Sequence, residues 1–407
     1  MAVYANASEK AMCPTGAPRC IAVSGAGATL AGERMENVES AAVVIAGAGF
    51  AGAATAYHLT RHGVRDLVVL ERENIAGVHA SGRNAALAFQ VLTDTAEAQL
   101  AIEGARFIAD PPDGFATHPL LQRSGSLLLA GAPGMPQLEQ TQEHGRRLGI
   151  AGELLTPAQA RQRVPALVDA PFAGAFWNPH DGVVDIHALL HGYLSAARAA
   201  GARIDYRRTI TAVRTSNSAV EAVETTRGTI RTGVLVNAAG AWAGEIGRLA
   251  GVGTRTLAPR RRHLFQTTVD LPVGREWPFV WHNDLDVYFR PEGDGLLMSP
   301  CDATPHPPRE PVVDAAVTQM LADKITRAFP ALSKARVVSA WACLRTFARD
   351  ERFVIGRDPA LRGLVWVAAL GGHGMTTSAA VGRLGAAAVL GDASEELDYF
   401  SPHANRG

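Results

Sequence analysis

Residues 41–71 read AAVVIAGAGFAGAATAYHLTRHGVRDLVVLE, in the order of a strand, a glycine-rich turn, a helix and a second strand. The apolar run at 41–46 predicts a buried parallel strand, because it is too short and too rich in β-branched residues for a helix. An alanine-rich helix follows to about Leu59, and residues 67–70 predict the second strand. Together these elements predict the first βαβ unit of a dinucleotide-binding sheet.

The turn has the spacing G-x-G-x-x-G, and each glycine has a physical role. Gly47 permits the tight turn, Gly49 lets the backbone approach a pyrophosphate, and Gly52 lets the helix and strand pack closely. The helix N-terminus offers N–H groups and the positive end of its dipole to phosphates. Glu71 ends the second strand, where a carboxylate binds ribose hydroxyls and favours NAD or FAD over NADP. The alternative is a glycine-rich turn in another kind of α/β protein.

The composition of the whole chain is that of a globular protein. Its 407 residues are enough for two or three domains of about 150 residues each. The formal net charge is zero, so nothing points to nucleic acid or an anionic membrane surface as a partner. No apolar run approaches the roughly 18 residues of a transmembrane helix. The four cysteines form neither a C-x-x-C pair nor a zinc spacing, so we predict no metal and a reduced, cytoplasmic location.

The first forty residues differ from the rest. They are rich in Ala, Gly and Ser, without a clear period or the order of a signal peptide. We expect residues 1–40 to be disordered or a non-native extension, with Met35 as an alternative start of translation. The intact mass of the native protein distinguishes these possibilities.

Further elements follow along the chain, with a strand-like region at 257–298 that predicts an antiparallel sheet in a second domain. Two glycine- and alanine-rich segments stand out, at 77–86 and at 371–374, the second between an apolar strand and a helix from about Met375. The first could let the backbone approach a bulky cofactor, and a surface loop is its alternative. The other predicted helices are 95–110, 156–163, 185–200 and 311–329, and the other predicted strands are 126–130, 203–206, 210–215, 220–225, 234–237 and 364–369.

These motifs, in this order, resemble the D-amino acid oxidase/glycine oxidase/sarcosine oxidase superfamily of FAD-dependent oxidoreductases. The segments at 107–115, 234–242 and 366–380 are most similar to those of bacterial D-arginine dehydrogenases. The resemblance covers about residues 41–391. It implies an α/β (α+β) fold, with a Rossmann-like FAD-binding domain and a substrate domain built on a large antiparallel or mixed sheet. The implied FAD-binding domain is 41–92, 200–256 and 346–395, and the substrate domain is 93–199 and 257–345.

The resemblance also implies the residues that contact FAD. They come from the fingerprint, the two small-residue segments and the strand at 234–237: Gly47, Gly49, Phe50, Ala51, Gly52, Glu71, Arg72, His79, Ser81, Arg83, Asn84, Ala85, Ala86, Ile210, Ala238, Gly240, Trp242, Gly371, Gly372, His373, Gly374, Met375 and Thr376. The helix after the second segment would stabilise negative charge on the reduced flavin.

The family holds the substrate carboxylate with arginine and tyrosine, and Arg262, Tyr288 and Arg345 match those positions. A planar guanidinium meets a carboxylate with two parallel charge-assisted hydrogen bonds, each contributing about 1.5–3 kcal/mol. The alternative for Arg345 is a structural ion pair. His373 is a further candidate for contact with flavin or substrate. A role for His373 as a catalytic base is less favoured.

The expected substrate pocket departs from that of D-arginine dehydrogenases. Ser126 stands where those enzymes have a glutamate for the distal guanidinium, and Leu87 and Leu92 replace their His and Tyr. A buried guanidinium without a carboxylate carries a desolvation penalty of several kcal/mol, so D-arginine is disfavoured. Gly372 and Thr376 complete the pocket. The leucines have an alternative role as packing residues.

Two more positions bear on the flavin. Cys343 lies where monomeric sarcosine oxidases have a cysteine linked covalently to flavin, and a buried free thiol is the alternative. Leu297 replaces the lysine that helps the oxidases react with oxygen, which favours a dehydrogenase that passes electrons to a quinone or carrier rather than to O2.

The resemblance therefore implies oxidative deamination of a D-amino acid or related amino acid with an apolar or neutral side chain. The product is an imino acid and then a 2-oxo acid. Oxidation of a secondary amine or a 2-hydroxy acid is one alternative, and a non-catalytic FAD-binding subunit is another.

Overall fold

The computed structural model describes residues 38–253 and 256–402. These residues form 22 strands and nine helices. The strands are β1 (Val38–Ser40), β2 (Val43–Ala46), β3 (Leu67–Leu70), β4 (Leu87–Ala88), β5 (Leu121–Gln122), β6 (Ser126–Ala130), β7 (Glu153–Leu155), β8 (Gly174–Asn178), β9 (Gly182–Val184), β10 (Arg203–Asp205), β11 (Ile210–Ser216), β12 (Ala219–Thr225), β13 (Gly228–Arg231), β14 (Leu235–Asn237), β15 (Ala258–Thr268), β16 (Phe279–His282), β17 (Val287–Glu292), β18 (Gly295–Ser299), β19 (Thr304–Pro305), β20 (Arg336–Phe347), β21 (Val354–Arg357) and β22 (Leu364–Ala368). The helices are α1 (Phe50–Arg61), α2 (Thr95–Ala109), α3 (Met135–Arg147), α4 (Pro157–Arg163), α5 (Ile186–Ala199), α6 (Ala243–Leu249), α7 (Ala315–Ala328), α8 (Ser378–Leu390) and α9 (Glu395–Phe400).

The predicted dinucleotide-binding sheet is present. Six strands pair in the order β10-β3-β2-β14-β22-β21, all parallel except for β21 at one edge. Strands β2, β3, β14 and β22 are buried along their whole length, as expected for parallel strands covered on both faces. One face packs against α1, α5 and α8, and the other against α6 and a four-stranded sheet in the order β1-β13-β12-β11.

The glycine turn between β2 and α1 is built as the sequence predicts. Gly47 has a φ of +102°, and a Cβ there would lie 2.6 Å from the carbonyl oxygen of Ala238. A Cβ on Gly52 would lie 1.9 Å from the carbonyl oxygen of Gly47. Since both obstructions are backbone atoms, only glycine lets α1 leave the sheet at this angle.

The second large sheet is mixed and has nine strands. Eight follow the order β19-β15-β18-β17-β16-β6-β8-β7, and β20 pairs with β15. The pairing is antiparallel except between β6 and β16. The predicted antiparallel region at 257–298 is confirmed as β15 to β18, and this sheet with the six-stranded sheet confirms the predicted fold class. A short sheet in the order β4-β9-β5 completes the strands of the described residues.

The predicted domain boundaries do not follow the hydrophobic cores. Helices α2 and α5 fall within 93–199, which was assigned to the substrate domain. However, Leu100 of α2 and Tyr193 of α5 pack in the core of the six-stranded sheet with Tyr57 of α1. Apolar faces on these helices cover that sheet. Parts of the segment 93–199 therefore pack with the predicted FAD-binding domain rather than with the predicted substrate domain.

The N-terminal expectation is corrected at its end. Residues 38–40, placed in the disordered extension, form β1, which pairs in parallel with β13. The rest of that extension, with Met35, lies outside the described residues.

Two helix starts were predicted too early, and three helices (α3, α6 and α9) were not predicted. Helix α7 begins at Ala315, because the Asp314 side chain accepts a hydrogen bond from the backbone N–H of Ala316. Helix α8 begins at Ser378 rather than near Met375, and the polar helix α3 was not predicted. In the part of the chain that the structure describes, no helix is both long and apolar enough to cross a membrane.

Replacing Gly52 with alanine tests the packing of the turn. The added Cβ meets backbone that cannot move aside, so we expect the Gly52→Ala variant to lose about 3 kcal/mol or more of stability. The matched control is Gly233→Ala, where an added Cβ meets no atom within 4 Å. Melting temperature and bound-cofactor content are measured for both. Equal melting temperatures of the two variants would contradict this account of the turn.

Candidate active site

One large cavity, of about 340 Å³, lies at the carboxyl ends of the parallel strands. Ala46 of β2, Leu70 of β3 and Ala368 of β22 line it from the six-stranded sheet, and strands of the nine-stranded sheet line the rest. Ligands of open α/β sheets bind at this edge, where the connections leave the strands.

One end of the cavity is suited to a dinucleotide phosphate. The backbone N–H of Phe50, the first residue of α1, donates to the Ser81 hydroxyl oxygen over 3.0 Å. A Cβ on Gly49 would lie 2.8 Å from the same oxygen, so glycine keeps this surface open. The Glu71 carboxylate accepts hydrogen bonds from the N–H groups of Ala48 and Glu73, over 3.0 and 2.9 Å, and is fixed at the end of β3.

A cluster of side chains lies beside Glu71. The Arg72 guanidinium stacks over the Trp242 ring at 4.5 Å, and the His79 ring lies 4.5 Å from the same ring. Glu73 contacts both Arg72 and His79, at 3.3 and 3.0 Å. These planar groups form a wall against which another flat ring can stack.

The small-residue segment around Ser81 is held by its own asparagine. The Asn84 amide donates to the carbonyls of Ala80 and Ser81, and its oxygen accepts from the N–H of Ala86. Arg83 forms an ion pair with Glu310, from the segment before α7. These hydrogen bonds and this ion pair hold the segment in place beside the cavity, which favours the cofactor-binding role over the alternative of a surface loop.

The residues present fit a flavin dinucleotide. The glycine cradle, the N-terminus of α1 and the carboxylate of Glu71 line one part of the cavity, and the glycine-rich turn at 371–374 lines another. Of the predicted cofactor residues, only Gly52 and Thr376 are not on the lining: Gly52 packs α1 on β2, and the Thr376 hydroxyl donates to the Leu87 carbonyl over 3.1 Å.

At the end opposite the phosphate cradle, the cavity holds two guanidinium groups without carboxylate partners. Arg262 of β15 and Arg345 of β20 both line it, together with Tyr288 of β17. Arg262 donates through Nε to the carbonyl oxygen of Asp302 over 2.8 Å, while the Nε of Arg345 is buried without a partner. Within the described residues, neither arginine forms an ion pair. Neither guanidinium therefore has a carboxylate bound to it, although the charges of Asp286 and Asp302 act on Arg262 from nearby.

Burial sets the protonation of the side chains at this end. Burial, and next the charge of Arg262, lower the pKa of Arg345 to about 10, so Arg345 stays charged at neutral pH. Burial raises the pKa of Tyr288 to about 12, which keeps its hydroxyl a hydrogen-bond donor. Burial and the two arginines lower the pKa of His373 to about 4, so its imidazole is neutral.

The wall beside the arginines is apolar and was predicted only in part. Leu87 lines the cavity as expected, but Phe89 and Trp281 were missed. Trp281 lies opposite Tyr288 on the neighbouring strand, with ring centroids 5.0 Å apart. Phe89 and Trp281 both pack against the same apolar cluster beneath the sheet. A Trp seven residues before the predicted Tyr288 was the available sequence signal.

Besides Thr376, two more predicted pocket residues are not on the cavity lining. Ser126 is fully buried behind the lining and donates to the Asp181 carboxylate over 2.6 Å. Leu92 is buried in a separate cluster with Ala98 and Ala101 of α2. The prediction that these residues shape the pocket is therefore wrong, because β6 and the segment after β4 turn these side chains into the protein interior.

Ser126 belongs to a buried polar network that the sequence did not reveal. Asp181 also accepts from the Gln90 amide over 3.1 Å, and no part of the aspartate is exposed. Burial raises its pKa to about 7 despite the hydrogen bonds from Ser126 and Gln90. The carboxyl group of Asp181 thus lies next to Ser126, the position where D-arginine dehydrogenases have a glutamate. Asp181 does not line the cavity, however.

Cys343 and Leu297 lie near the same end. Cys343 lines the cavity, and burial raises the pKa of its thiol to about 11, so the thiolate that a covalent flavin link requires is not favoured here. Leu297 is buried beside Cys343 and Leu264. No cluster of three or more His, Cys, Asp or Glu within the described ranges is arranged to hold a metal ion.

Comparison with known proteins identifies a matching family and a similar protein. A family model described as "DAO: FAD dependent oxidoreductase" matches residues 42–388. Human mitochondrial sarcosine dehydrogenase is 27% identical over 363 residues, which cover 84% of this chain and 39% of that protein. The chain thus spans about two fifths of this curated relative.

Two solved structures share the fold. L-proline dehydrogenase from P. horikoshii superposes with a TM-score of 0.80 at 22% identity, over 90% of this chain and 97% of that one. Glycine oxidase from Geobacillus kaustophilus superposes with a TM-score of 0.78 at 24% identity, over 91% and 100%.

The buried Asp181 makes a pH-dependent contribution to stability. Because its pKa is raised in the folded protein, its contribution is complete below pH 4 and is lost as the pH rises towards 7. We expect the melting temperature of the wild type, relative to Asp181→Asn, to fall between pH 4 and 7 and to stay constant above. Asp113→Asn, in an exposed turn, is the control. Parallel curves for wild type and Asp181→Asn would contradict the prediction.

Proposed function

We propose a reaction for this chain, which belongs to the DAO family of FAD-dependent oxidoreductases. The proposed reaction is the FAD-dependent oxidation of the Cα–N bond of an amino acid with an apolar side chain. The proposed substrate is a D-amino acid or a related N-substituted amino acid. The observation that carries the proposal is a pair of arginines, Arg262 buried and Arg345 half-buried, which have no carboxylate partner among the described residues and line the same cavity as an apolar wall.

The arginines favour a carboxylate in the substrate. Arg262 and Arg345 have charged donors that face the cavity, and Tyr288 adds a neutral donor. A bound carboxylate offsets the cost of burying two like charges and accepts charge-assisted hydrogen bonds from both. A simple amine without an acid group leaves that cost in place.

The reaction needs the substrate amine in its neutral form and the Cα–H held in line. When bound, FAD supplies the hydride acceptor. The carboxylate contacts fix one end of the substrate, and the apolar wall fixes the side chain, so that the orientation is set by the protein. His373 is neutral on the cavity wall and can accept a hydrogen bond from the substrate ammonium, while its lowered pKa makes it a weak base.

The wall of Leu87, Phe89 and Trp281 favours an apolar side chain. A guanidinium placed against it would be desolvated without a carboxylate at the surface, since Asp181 lies behind the lining. D-Arginine therefore remains disfavoured, because none of the residues of this wall carries a carboxylate. The closer likeness to D-arginine dehydrogenases, the stereochemistry of the substrate and the cytoplasmic location stay predictions.

The electron acceptor also stays a prediction. Leu297 favours a quinone or carrier over O2. A 2-hydroxy acid would bind the same arginines, and a non-catalytic subunit would bind FAD without being reduced by any amine. Both alternatives are separated from the proposal by the substrate that bleaches the flavin.

Anaerobic bleaching of the bound flavin tests the reaction. We expect bleaching by apolar amino acids and not by D-arginine or matching 2-hydroxy acids, across a panel that includes both enantiomers and N-methyl forms. In Arg345→Lys the bidentate contact is lost, so the substrate concentration for half-maximal bleaching should rise about 10–100-fold, as for one or two lost charge-assisted bonds.

The control for this variant is Arg336→Lys, an exposed position on the same strand. It should leave the half-maximal concentration unchanged. Failure of every amino acid to bleach the wild type would favour the non-catalytic subunit, and bleaching by hydroxy acids alone would favour the first alternative.

Trp281→Ala tests the apolar wall. Loss of the indole should weaken bulky apolar substrates about 10-fold, in line with about 1–3 kcal/mol for a hydrophobic contact, and affect alanine less. Trp177→Ala, in β8 of the same sheet and away from the cavity, is the control. An equal loss for large and small substrates would contradict a role in selectivity.

A further inference from the structure

One acidic residue touches Arg262 through its main chain. The carbonyl oxygen of Asp302 accepts from Arg262 Nε over 2.8 Å, and the carboxylate of the same residue is near enough to interact electrostatically with the guanidinium. An aspartate that turned to this arginine would occupy the position that the proposed substrate carboxylate needs. Its present orientation therefore matters for the site.

The Asp302 carboxylate is instead bound on both oxygens by one residue. Oδ1 accepts from the backbone N–H of His263 over 2.8 Å, and Oδ2 accepts from His263 Nδ1 over 2.7 Å. His263 follows Arg262 directly on β15, so its side chain points to the opposite face of the sheet. The carboxylate is thereby drawn to the face away from the cavity.

His263 is itself fixed in the tautomer that this requires. Its ring is fully buried, and Nε2 accepts from the backbone N–H of Asp314, the N-cap of α7, over 3.0 Å. Because Nε2 accepts, the ring proton is on Nδ1 and faces Asp302.

The turn that carries Asp302 is also held in place. The Ser299 hydroxyl donates to the His263 carbonyl over 2.7 Å, and Lys324 donates to the Pro300 carbonyl over 2.7 Å. Cys301 has a φ of +56°, a left-handed conformation that costs energy for a residue with a side chain. The backbone is thus constrained to present the Asp302 carbonyl to Arg262 and its carboxylate to His263.

We propose that His263 is a positioning residue that holds the Asp302 carboxylate away from Arg262 and so keeps this arginine available for an anionic ligand. The inference rests on the proposed function only in the identity of that ligand, a carboxylate.

The competing anion is present at neutral pH. Burial raises the pKa of Asp302, but the hydrogen bonds from His263 and the charge of Arg262 more than compensate, so its pKa lies below the ordinary value. A released Asp302 would therefore compete as an ionised carboxylate at high effective concentration.

The test uses the FAD-loaded protein and a carboxylate that does not react. Benzoate, acetate and 2-furoate are titrated against the flavin absorbance of wild type, and the tightest of them is the probe. In His263→Leu we expect its Kd to rise about 10-fold or more, since an intramolecular carboxylate competes for Arg262. In the double variant with Asp302→Asn the competing charge is gone, so the Kd should return to within about 3-fold of wild type.

Controls separate this effect from damage to the fold. His282→Leu replaces another buried histidine of the same sheet, on β16, and should not change the Kd. If the His263→Leu variant does not retain FAD, the His263→Gln variant is used in its place. The glutamine side chain fills a similar space, but its amide is placed less well for Asp302 than Nδ1 of the imidazole. A double variant that binds as weakly as the single one would overturn the proposal, because the charge that is proposed to compete for Arg262 is then absent.

The result is independent of the reaction. If no amino acid bleaches the flavin but a carboxylate binds in a manner that Arg262→Lys weakens and the double variant restores, the proposed reaction fails and the role of His263 stands. If no carboxylate binds the wild type, the role of His263 is refuted.

Discussion

The interaction on which the site depends is the repulsion between two buried guanidinium groups. Arg262 and Arg345 line the same cavity, and neither has an ion-pair partner in the described parts of the chain. Burying one unpaired charge is costly, and burying two like charges together is more so. A fold that keeps both in place is suited to a ligand that supplies negative charge. The surrounding turns and strands are arranged so that no protein carboxylate takes that role.

The local features of the fold could be predicted from the sequence because they depend on neighbouring residues. The glycine turn at Gly47 requires a left-handed conformation and close backbone contact, and both are visible as glycine spacing. Helix α4 begins after Thr156 with a reciprocal hydrogen-bonded cap, as the residues Thr-Pro-x-Gln indicate. The arginines and Tyr288 were found by resemblance, and they come together in the cavity.

The features that were predicted wrongly or not at all depend on pairings between segments that are distant in the sequence. Ser126 was placed on the pocket wall, but pairing of β6 with β16 and β8 turns its hydroxyl to the buried Asp181. Trp281 reaches the cavity because it lies opposite Tyr288 on the next strand, a register that no local pattern shows. The same holds for His263 and Asp302, which are 39 residues apart in sequence.

The central claim is that the cavity selects a substrate with both an amine and a carboxylate. The most direct measurement is anaerobic bleaching of the flavin by matched pairs, an apolar amino acid and the amine that lacks only its carboxylate, such as phenylalanine of either hand and 2-phenylethylamine. The account predicts half-maximal bleaching by the amino acid at a concentration at least about 100-fold lower, as expected for two charge-assisted contacts. Bleaching by the amine at the same concentration would show that the two arginines do not bind the substrate.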